Sequence, residues 1–100
     1  MAVFKDYPTN SIPSFANSGG NVLAFGHLYP VTNTLYDIGS AALSWRNIYT
    51  NDLHLSNEGK EVGNSVDGTK GNWTIQEGEE HLFIINNKTG KKYKFLLEPV

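Results

Sequence analysis

Hydrophobic and polar positions alternate most clearly in the last third of the chain. The runs Trp73–Glu77 and His81–Asn86 are rich in β-branched and aromatic residues and are separated by turn residues around Gly78. A further run covers residues 91–97. The Asn-Lys-Thr-Gly sequence at 87–90 precedes it and is typical of a type I turn with a left-handed glycine, as in a G1-bulge hairpin. These features predict three antiparallel strands.

If the turn at 87–90 contains a G1 bulge, the pairing of the two strands assigns each side chain of this last hairpin to one face of the sheet. One face is expected to hold Phe83, Ile85, Tyr93 and Phe95, and the other face Leu82, Ile84, Lys94 and Leu96. Both faces of the strand that contains Phe83 are therefore apolar. An antiparallel sheet with one wet face does not need two apolar faces, so we expect a second subunit to cover one of them.

The middle of the chain predicts a short helical turn followed by a strand. Ser40 is a good helix N-cap, and residues 41–46 favour about two turns of helix, held in place by burial of Leu43 and Trp45. From Ile48 to Leu55 the period changes to two, which predicts a strand. Residues 56–72 are rich in glycine and polar residues and predict a long exposed loop.

The beginning of the chain is sparse in apolar residues. Pro8, Pro13 and the Ser-Gly-Gly sequence at 18–20 predict an extended arm over residues 1–20. Two interpretations remain open: a flexible end, or an arm packed on a neighbouring subunit through Phe4, Tyr7 and Phe15. Residues 21–29 alternate and predict a strand, in which Gly26 indicates a bulge or a close approach of another backbone.

Composition favours an assembly over an isolated domain. The chain has 100 residues and no cysteine, so disulfides cannot compensate for a small core. The net charge is −2, which does not indicate a nucleic-acid surface, and no apolar run is long enough to span a membrane. We therefore expect a self-associating protein with no nucleic-acid partner and no membrane insertion.

Reactive residues do not form a recognisable catalytic or metal-binding set. Ser56 lies two positions from His54 but no third group orients the pair, and Glu77, Glu79 and Glu80 cluster at a turn without a cleft. We expect no enzymatic activity and no cofactor. His27, His54 and His81 lack the short spacing of zinc ligands. If three copies assembled around an axis, His54 would be the one candidate metal ligand, and it would point away if Leu53 and Leu55 lined the axis.

Two groups of motifs resemble the distal module of bacteriophage tail fibres and tail spikes. The first comprises Tyr-Asp-Ile-Gly-Ser at 36–40, Trp-Arg-Asn-Ile-Tyr-Thr at 45–50 and Leu-His-Leu-Ser-Asn-Glu at 53–58. The second comprises Trp-Thr-Ile-Gln-Glu-Gly-Glu at 73–79 and Gly-Lys-Lys-Tyr-Lys-Phe at 90–95. The resemblance implies a homotrimer located in the virion, made in the host cytoplasm, that contributes to host attachment. Its implied partners are the rest of the tail and a bacterial surface glycan or protein.

The combined prediction is a mostly β protein: a small antiparallel β-meander or sandwich-like domain with one short helical turn, intertwined in a homotrimer. Residues 1–20 would be the arm and residues 21–100 the fibre-tip domain. The residues expected in the trimer interface or core are Leu43, Trp45, Ile48, Tyr49, Leu53, Leu55, Leu82, Ile84 and Phe95. The residues expected to contact a receptor are Asn64, Asp67, Lys70 and Trp73. The alternative is a monomeric carbohydrate-binding β domain in which Trp73 or Trp45 stacks on sugars.

Overall fold

Six short strands make up the regular structure. The computed structural model describes the backbone of residues 15–100 and the side chains from Gly19 onward, so the anchors Phe4 and Tyr7 lie outside the described residues. The strands are β1 Phe15–Ser18, β2 Asn21–Ala24, β3 Leu53–Ser56, β4 Asn72–Glu77, β5 Leu82–Asn86 and β6 Lys92–Lys94. Over residues 15–100 there is no helix, which confirms the mostly β prediction, and no helix there could cross a membrane.

Strands β1 and β2 form a hairpin of their own. They pair antiparallel from Phe15–Ala24 to Ser18–Asn21, and Gly19 and Gly20 make the turn between them. The boundary at residue 20 thus falls inside a hairpin. The predicted strand 21–29 is wrong beyond Ala24, because residues 25–29 have no strand partner in the described part of the chain. Contacts divide the chain between Val31 and Thr32, and this hairpin belongs to the first of the two units.

The remaining strands form one antiparallel sheet in the order β3-β4-β5-β6. Each strand pairs with its neighbour in sequence, which confirms the predicted meander. The turn after β5 has the predicted left-handed glycine: Gly90 has a φ of 77° and its amide donates to the Asn86 carbonyl over 2.7 Å. The Asn86 amide in turn donates to the Lys91 carbonyl over 2.9 Å.

The register of the last hairpin differs from the prediction by one residue. Phe83 pairs with Lys94, Ile84 with Tyr93 and Ile85 with Lys92. The reason is that all residues from 87 to 90 belong to the turn, and Asn86 and Lys91 close it without an extra residue in either strand. The predicted bulge is therefore wrong. Since side chains alternate along a strand, the change moves Tyr93 to the face of Leu82 and Ile84.

The strand predicted from Ile48 to Leu55 begins only at Leu53. Leu53 pairs with Ile75, and β4 ends two residues later at Glu77, where the turn to β5 begins. Residues Ile48–Thr50 lie beyond the end of β4 and therefore have no strand to pair with. The prediction is therefore wrong over residues 48–52. The short partner accounts for Ile48–Thr50, whereas Asp52 lies beside β4 and its carboxylate accepts from the Gln76 side chain over 3.3 Å.

The helical turn predicted after Ser40 is absent. The Ser40 hydroxyl oxygen accepts from the Leu43 amide over 3.1 Å, which is the capping contact that the sequence indicates. However, the Ser40 amide also donates to the Leu43 carbonyl over 2.9 Å. This second bond closes a tight turn. It occupies the Leu43 carbonyl, which in a helix would accept from an amide further along the chain. A two-turn helix has little stability of its own, so the closed turn prevails.

Candidate functional site

The four-stranded sheet has one face that is almost entirely apolar. Neighbouring positions in the register place the side chains of alternate residues together across all four strands. We define the apolar face as Leu53, Leu55, Trp73, Ile75, Leu82, Ile84 and Tyr93. The indole of Trp73 and the ring of Tyr93 approach to 6.1 Å between centroids, at a tilt of 39°.

Within residues 32–100, no element covers the apolar face. Leu53 is 49% exposed, Leu55 48% and Tyr93 47%, and Ile75 and Ile84 on the two central strands are only half-buried. Among residues 19–100 no hydrophobic side chain is buried, and the only buried residue is Thr74. The sheet is therefore one layer without an opposing layer, whereas a stable domain packs two.

Large apolar side chains are also exposed throughout residues 25–52, which contain no strand or helix. Leu43 is 77% exposed, Trp45 67%, Ile48 76% and Tyr49 91%. The Trp45 side chain lies beside Gly39, where a methyl group added to Gly39 would come within 3.5 Å of the Trp45 Cδ1 atom. The large apolar side chains of this segment therefore face solvent in the isolated chain.

The predicted interface residues thus fall into two places. Leu53, Leu55, Leu82 and Ile84 come together on the apolar face, and Phe95 adjoins it, half-buried, with its amide bonded to the Leu82 carbonyl. The other predicted residues, Leu43, Trp45, Ile48 and Tyr49, lie in the irregular segment. Trp73, Ile75 and Tyr93 also belong to the apolar face but are not among the predicted interface residues, and Trp73 was expected to contact a receptor instead. The alternation of Trp73 and Ile75 on β4 was the available signal, but Tyr93 required the correct turn register.

The loop between β3 and β4 is closed at its base by Asn57. Its side-chain oxygen accepts from the Gly71 amide over 2.7 Å, and its side-chain nitrogen donates to the Thr69 carbonyl over 3.2 Å. Within the loop, the backbone at Gly63 approaches Gly68 so closely that a methyl group on Gly63 would clash with the Gly68 carbonyl. The long exposed loop predicted for residues 56–72 is therefore tightly folded over most of its length.

Asn64 and Asp67, predicted to contact a receptor, hold this loop together. The Asn64 side chain donates to the Asp67 carboxylate over 2.7 Å, and its oxygen accepts from the amides of Val66 and Asp67. The Asp67 carboxylate also accepts from the hydroxyl and the amide of Thr69. Together these donors lower the pKa of Asp67 below its ordinary value of 3.8, with the Thr69 hydroxyl as the largest cause. Both polar atoms of the Asn64 side chain and the Oδ1 atom of the Asp67 carboxylate are thus engaged inside the loop.

An open cleft of about 690 Å³ lies beside this loop. The residues that line it include His54, Ser56, Asn64, Asp67 and Trp73. Trp73 is half-buried, because its indole packs on the Gly71 backbone and belongs to the apolar face. The remaining predicted contact, Lys70, is exposed, and its carbonyl accepts from the Lys88 ammonium group over 3.2 Å.

The second face of the sheet carries a polar network around Thr74, which is 4% exposed. The Thr74 hydroxyl bonds to His54 Nδ1 over 2.9 Å and accepts from the Asn87 side chain over 2.8 Å. Asn87 also donates to the Asn72 side chain over 2.9 Å. The network joins β3, β4 and the turn after β5, so it fixes these elements relative to one another.

On the same second face, β5 and β6 together with Gln76 of β4 form a groove of about 670 Å³. Phe83 and Ile85 of β5 lie opposite Lys94 and Lys92 of β6 in the register. The side chains of both lysines are exposed. Over the described residues the only ion pair joins Lys88 to Glu58 at 3.7 Å, so neither Lys92 nor Lys94 has a carboxylate partner there. We define the lysine groove as Gln76, Phe83, Ile85, Lys92 and Lys94, whose side chains share the second face.

His54 lies on the second face, opposite Leu53 and Leu55, with its Nδ1 atom bonded to Thr74. An axis lined by the two leucines would therefore leave His54 pointing away. In the part of the chain that the structure describes, no group of three His, Asp or Glu side chains is placed to hold a metal ion. The geometry offers binding surfaces, and those described above are the apolar face, the cleft and the lysine groove.

Comparison with known proteins adds no relative to this picture. No protein-family model, no curated protein and no solved structure matches the chain.

Proposed function

We propose that this chain is the tip domain of a bacteriophage tail fibre, assembles as a homotrimer and contributes to attachment to the host cell. Its partners are then two further copies of itself, the rest of the tail, and a glycan or protein of the bacterial surface. Its location is the virion. The fibre role and the number of subunits come from the motif resemblance at 36–58 and 73–95.

The observation that carries the proposal is the absence of a hydrophobic core in the described chain. No hydrophobic side chain among residues 19–100 is buried. Hydrophobic burial is the main favourable contribution to folding, and it must offset about 1–2 kcal/mol of backbone entropy per ordered residue. A single layer of sheet does not supply this free energy. Association of several copies would supply it, as in obligate oligomers whose monomers do not fold alone.

The apolar face is the surface best suited to that association. It extends over four strands and includes aromatic and branched aliphatic side chains, which are the usual components of an interface core. Completing the burial of a half-exposed leucine or isoleucine contributes about 1 kcal/mol. Repetition of the same face in each subunit multiplies this contribution, and the exposed apolar residues of 25–52 extend the surface that other copies can cover.

The alternative, a monomeric carbohydrate-binding domain, fits the structure less well. A monomer would leave both the apolar face and the apolar residues of 25–52 in water. Trp45 is exposed, but Trp73 packs on Gly71 and Tyr93, so it is only partly available for stacking on a sugar.

Mass determination of the purified chain in solution tests the proposal. Light scattering at micromolar concentration is expected to give three times the mass of 11.1 kDa calculated for one chain. A folded and stable monomer under these conditions would refute the assembly. Binding of the trimer to intact bacterial cells, followed with a fluorescent label, tests the attachment role separately.

A further inference from the structure

We propose that the lysine groove is the receptor-contacting site and that its ligand is an anionic saccharide. The inference rests on the proposed attachment role and names both the location of the site and the chemistry that it recognises. It moves the contact from the loop residues Asn64, Asp67 and Lys70 to the second face of the sheet, between β5 and β6.

The two faces of the sheet differ in a way that assigns them different roles. The apolar face carries no lysine, and its one charged strand residue is Glu77, which is exposed where β4 ends. The second face pairs an apolar residue with a lysine twice in succession, Phe83 with Lys94 and Ile85 with Lys92. A charge facing a subunit interface would have to be desolvated, which is costly without a partner. The apolar face is therefore suited to other copies of the chain, and the second face can remain open to a ligand.

The groove provides two kinds of contact. Phe83 is 36% exposed and Ile85 is half-buried, so an apolar floor is accessible. Lys92 and Lys94 lie on the same side of β6, about 7 Å apart as next-but-one residues of a strand. Among the described residues neither ammonium group has a hydrogen-bond or carboxylate partner. A ligand with an apolar ring face and carboxylate or phosphate groups would satisfy both the floor and the cations.

The competing location is less suited to ligand binding. In the cleft beside the β3–β4 loop, the Asn64 and Asp67 side chains already form hydrogen bonds within the loop. A ligand that used the Asn64 side chain or Asp67 Oδ1 would have to replace those bonds. A carboxylate or phosphate would also approach the Asp67 carboxylate, whose lowered pKa keeps it charged. Lys92 and Lys94 are free to form new bonds.

The test measures binding of defined saccharides to the assembled protein by calorimetry. The probes are an oligomer of glucuronic acid, which carries carboxylates, a phosphodiester-linked glycan, and neutral dextran as the uncharged control. We expect binding of at least one anionic probe, weakened by added salt, and no binding of dextran. Which anionic probe binds identifies the charged group. Absence of binding to both anionic probes by the intact trimer would overturn the inference.

Matched variants locate the site. K92Q with K94Q is expected to weaken binding by at least about tenfold, because two charge-assisted contacts are lost. K92R with K94R retains both charges and is expected to retain binding. The control K60Q with K70Q makes the same charge change in the β3–β4 loop and is expected to alter affinity less than about twofold. Equal losses in the two glutamine pairs, or a loss confined to the control, would refute the groove.

A second measurement uses the unmodified protein and so does not depend on a variant folding. Bound probe is expected to protect the Lys92 and Lys94 amines from acetylation, read by mass spectrometry, while Lys60 remains reactive. Reactivity of all three amines unchanged by bound probe would place the ligand elsewhere. Failure of the trimer to form refutes the proposed function, whereas a cell-binding trimer that is insensitive to K92Q with K94Q refutes this inference alone.

Discussion

At the scale of single residues, the most constrained side chain is a threonine. Thr74 is the one buried residue among residues 19–100, and its hydroxyl connects His54 on β3 with Asn87 in the turn after β5. A single-layer sheet has few side chains that fix its strands relative to one another. A buried hydroxyl with partners on two other elements performs this function here.

Replacing Thr74 with valine tests this role, since valine preserves the shape and removes the hydroxyl. His54 Nδ1 would lose its partner and the Asn87 amide one of two acceptors, so we expect the free energy of unfolding to fall by about 1–2 kcal/mol. Urea denaturation at a fixed subunit concentration measures it. Thr32→Val, an exposed site, is the control. Equal stability of the two variants would contradict the bridging role.

The Asp67 carboxylate gives the β3–β4 loop a dependence on pH. Its pKa is lowered in the folded protein, so ionised Asp67 stabilises the loop at pH values above its ordinary value of 3.8. That contribution is lost as the pH falls through the lowered pKa. We therefore expect amide exchange at Thr69 and Gly68 to accelerate below about pH 4 relative to amides of β4 and β5, after correction for intrinsic rates. Parallel exchange of loop and strands across this range would contradict the assignment.

At the scale of elements, the β5–β6 hairpin sets which side chains form the apolar face. Its turn occupies residues 87–90 and ends in Gly90, whose φ of 77° is unfavourable for any residue with a β-carbon. Because Asn86 and Lys91 close the turn, Tyr93 joins Ile84 across the sheet. One more residue in the turn would place a lysine on the apolar face instead.

Gly90→Ala tests the requirement of this turn. The left-handed conformation costs an alanine about 1–2 kcal/mol, so the free energy of unfolding is expected to fall by that amount. Gly26→Ala is the matched control, since Gly26 has no positive φ and a methyl group there meets nothing within 4 Å. Thermal unfolding of the two variants at one concentration checks the prediction, and a shift in Gly26→Ala as large as that in Gly90→Ala would contradict it.

At the scale of the whole molecule, folding and assembly are expected to be one process. The described chain has an uncovered apolar face and a long irregular segment, 25–52, whose large apolar side chains are exposed. The backbone of that segment makes no strand pairing with the rest of the described chain. Under the proposed function, neighbouring copies cover both surfaces and supply the core that a single chain lacks.

Ile84→Asp is expected to abolish assembly. Ile84 lies on a central strand between Ile75 and Tyr93, so the substitution places a carboxylate in the middle of the apolar face in every subunit. An unpaired buried charge costs several kcal/mol per copy. Val66→Asp makes the same chemical change at a loop residue that is 93% exposed and is expected to leave the assembly intact.

Light scattering and circular dichroism distinguish the outcomes. Ile84→Asp should give a monomer, folded or unfolded, whereas Val66→Asp should give the mass and spectrum of the parent protein. A trimeric and folded Ile84→Asp protein would show that the apolar face does not form the interface.

The sequence by itself determined the β class, the three C-terminal strands and the left-handed turn at Gly90, because period-two alternation and turn chemistry are local properties. The tertiary structure decided where strands end and which side chains share a face. Ile48–Thr50 alternate correctly but lie beyond the end of β4, and Ser40 forms its capping bond in a turn that closes before a helix can begin. The position of Tyr93 on the apolar face follows from the register of the β5–β6 hairpin, in which it pairs with Ile84. Pairing partners and register depend on residues distant in sequence, so no local pattern specifies them.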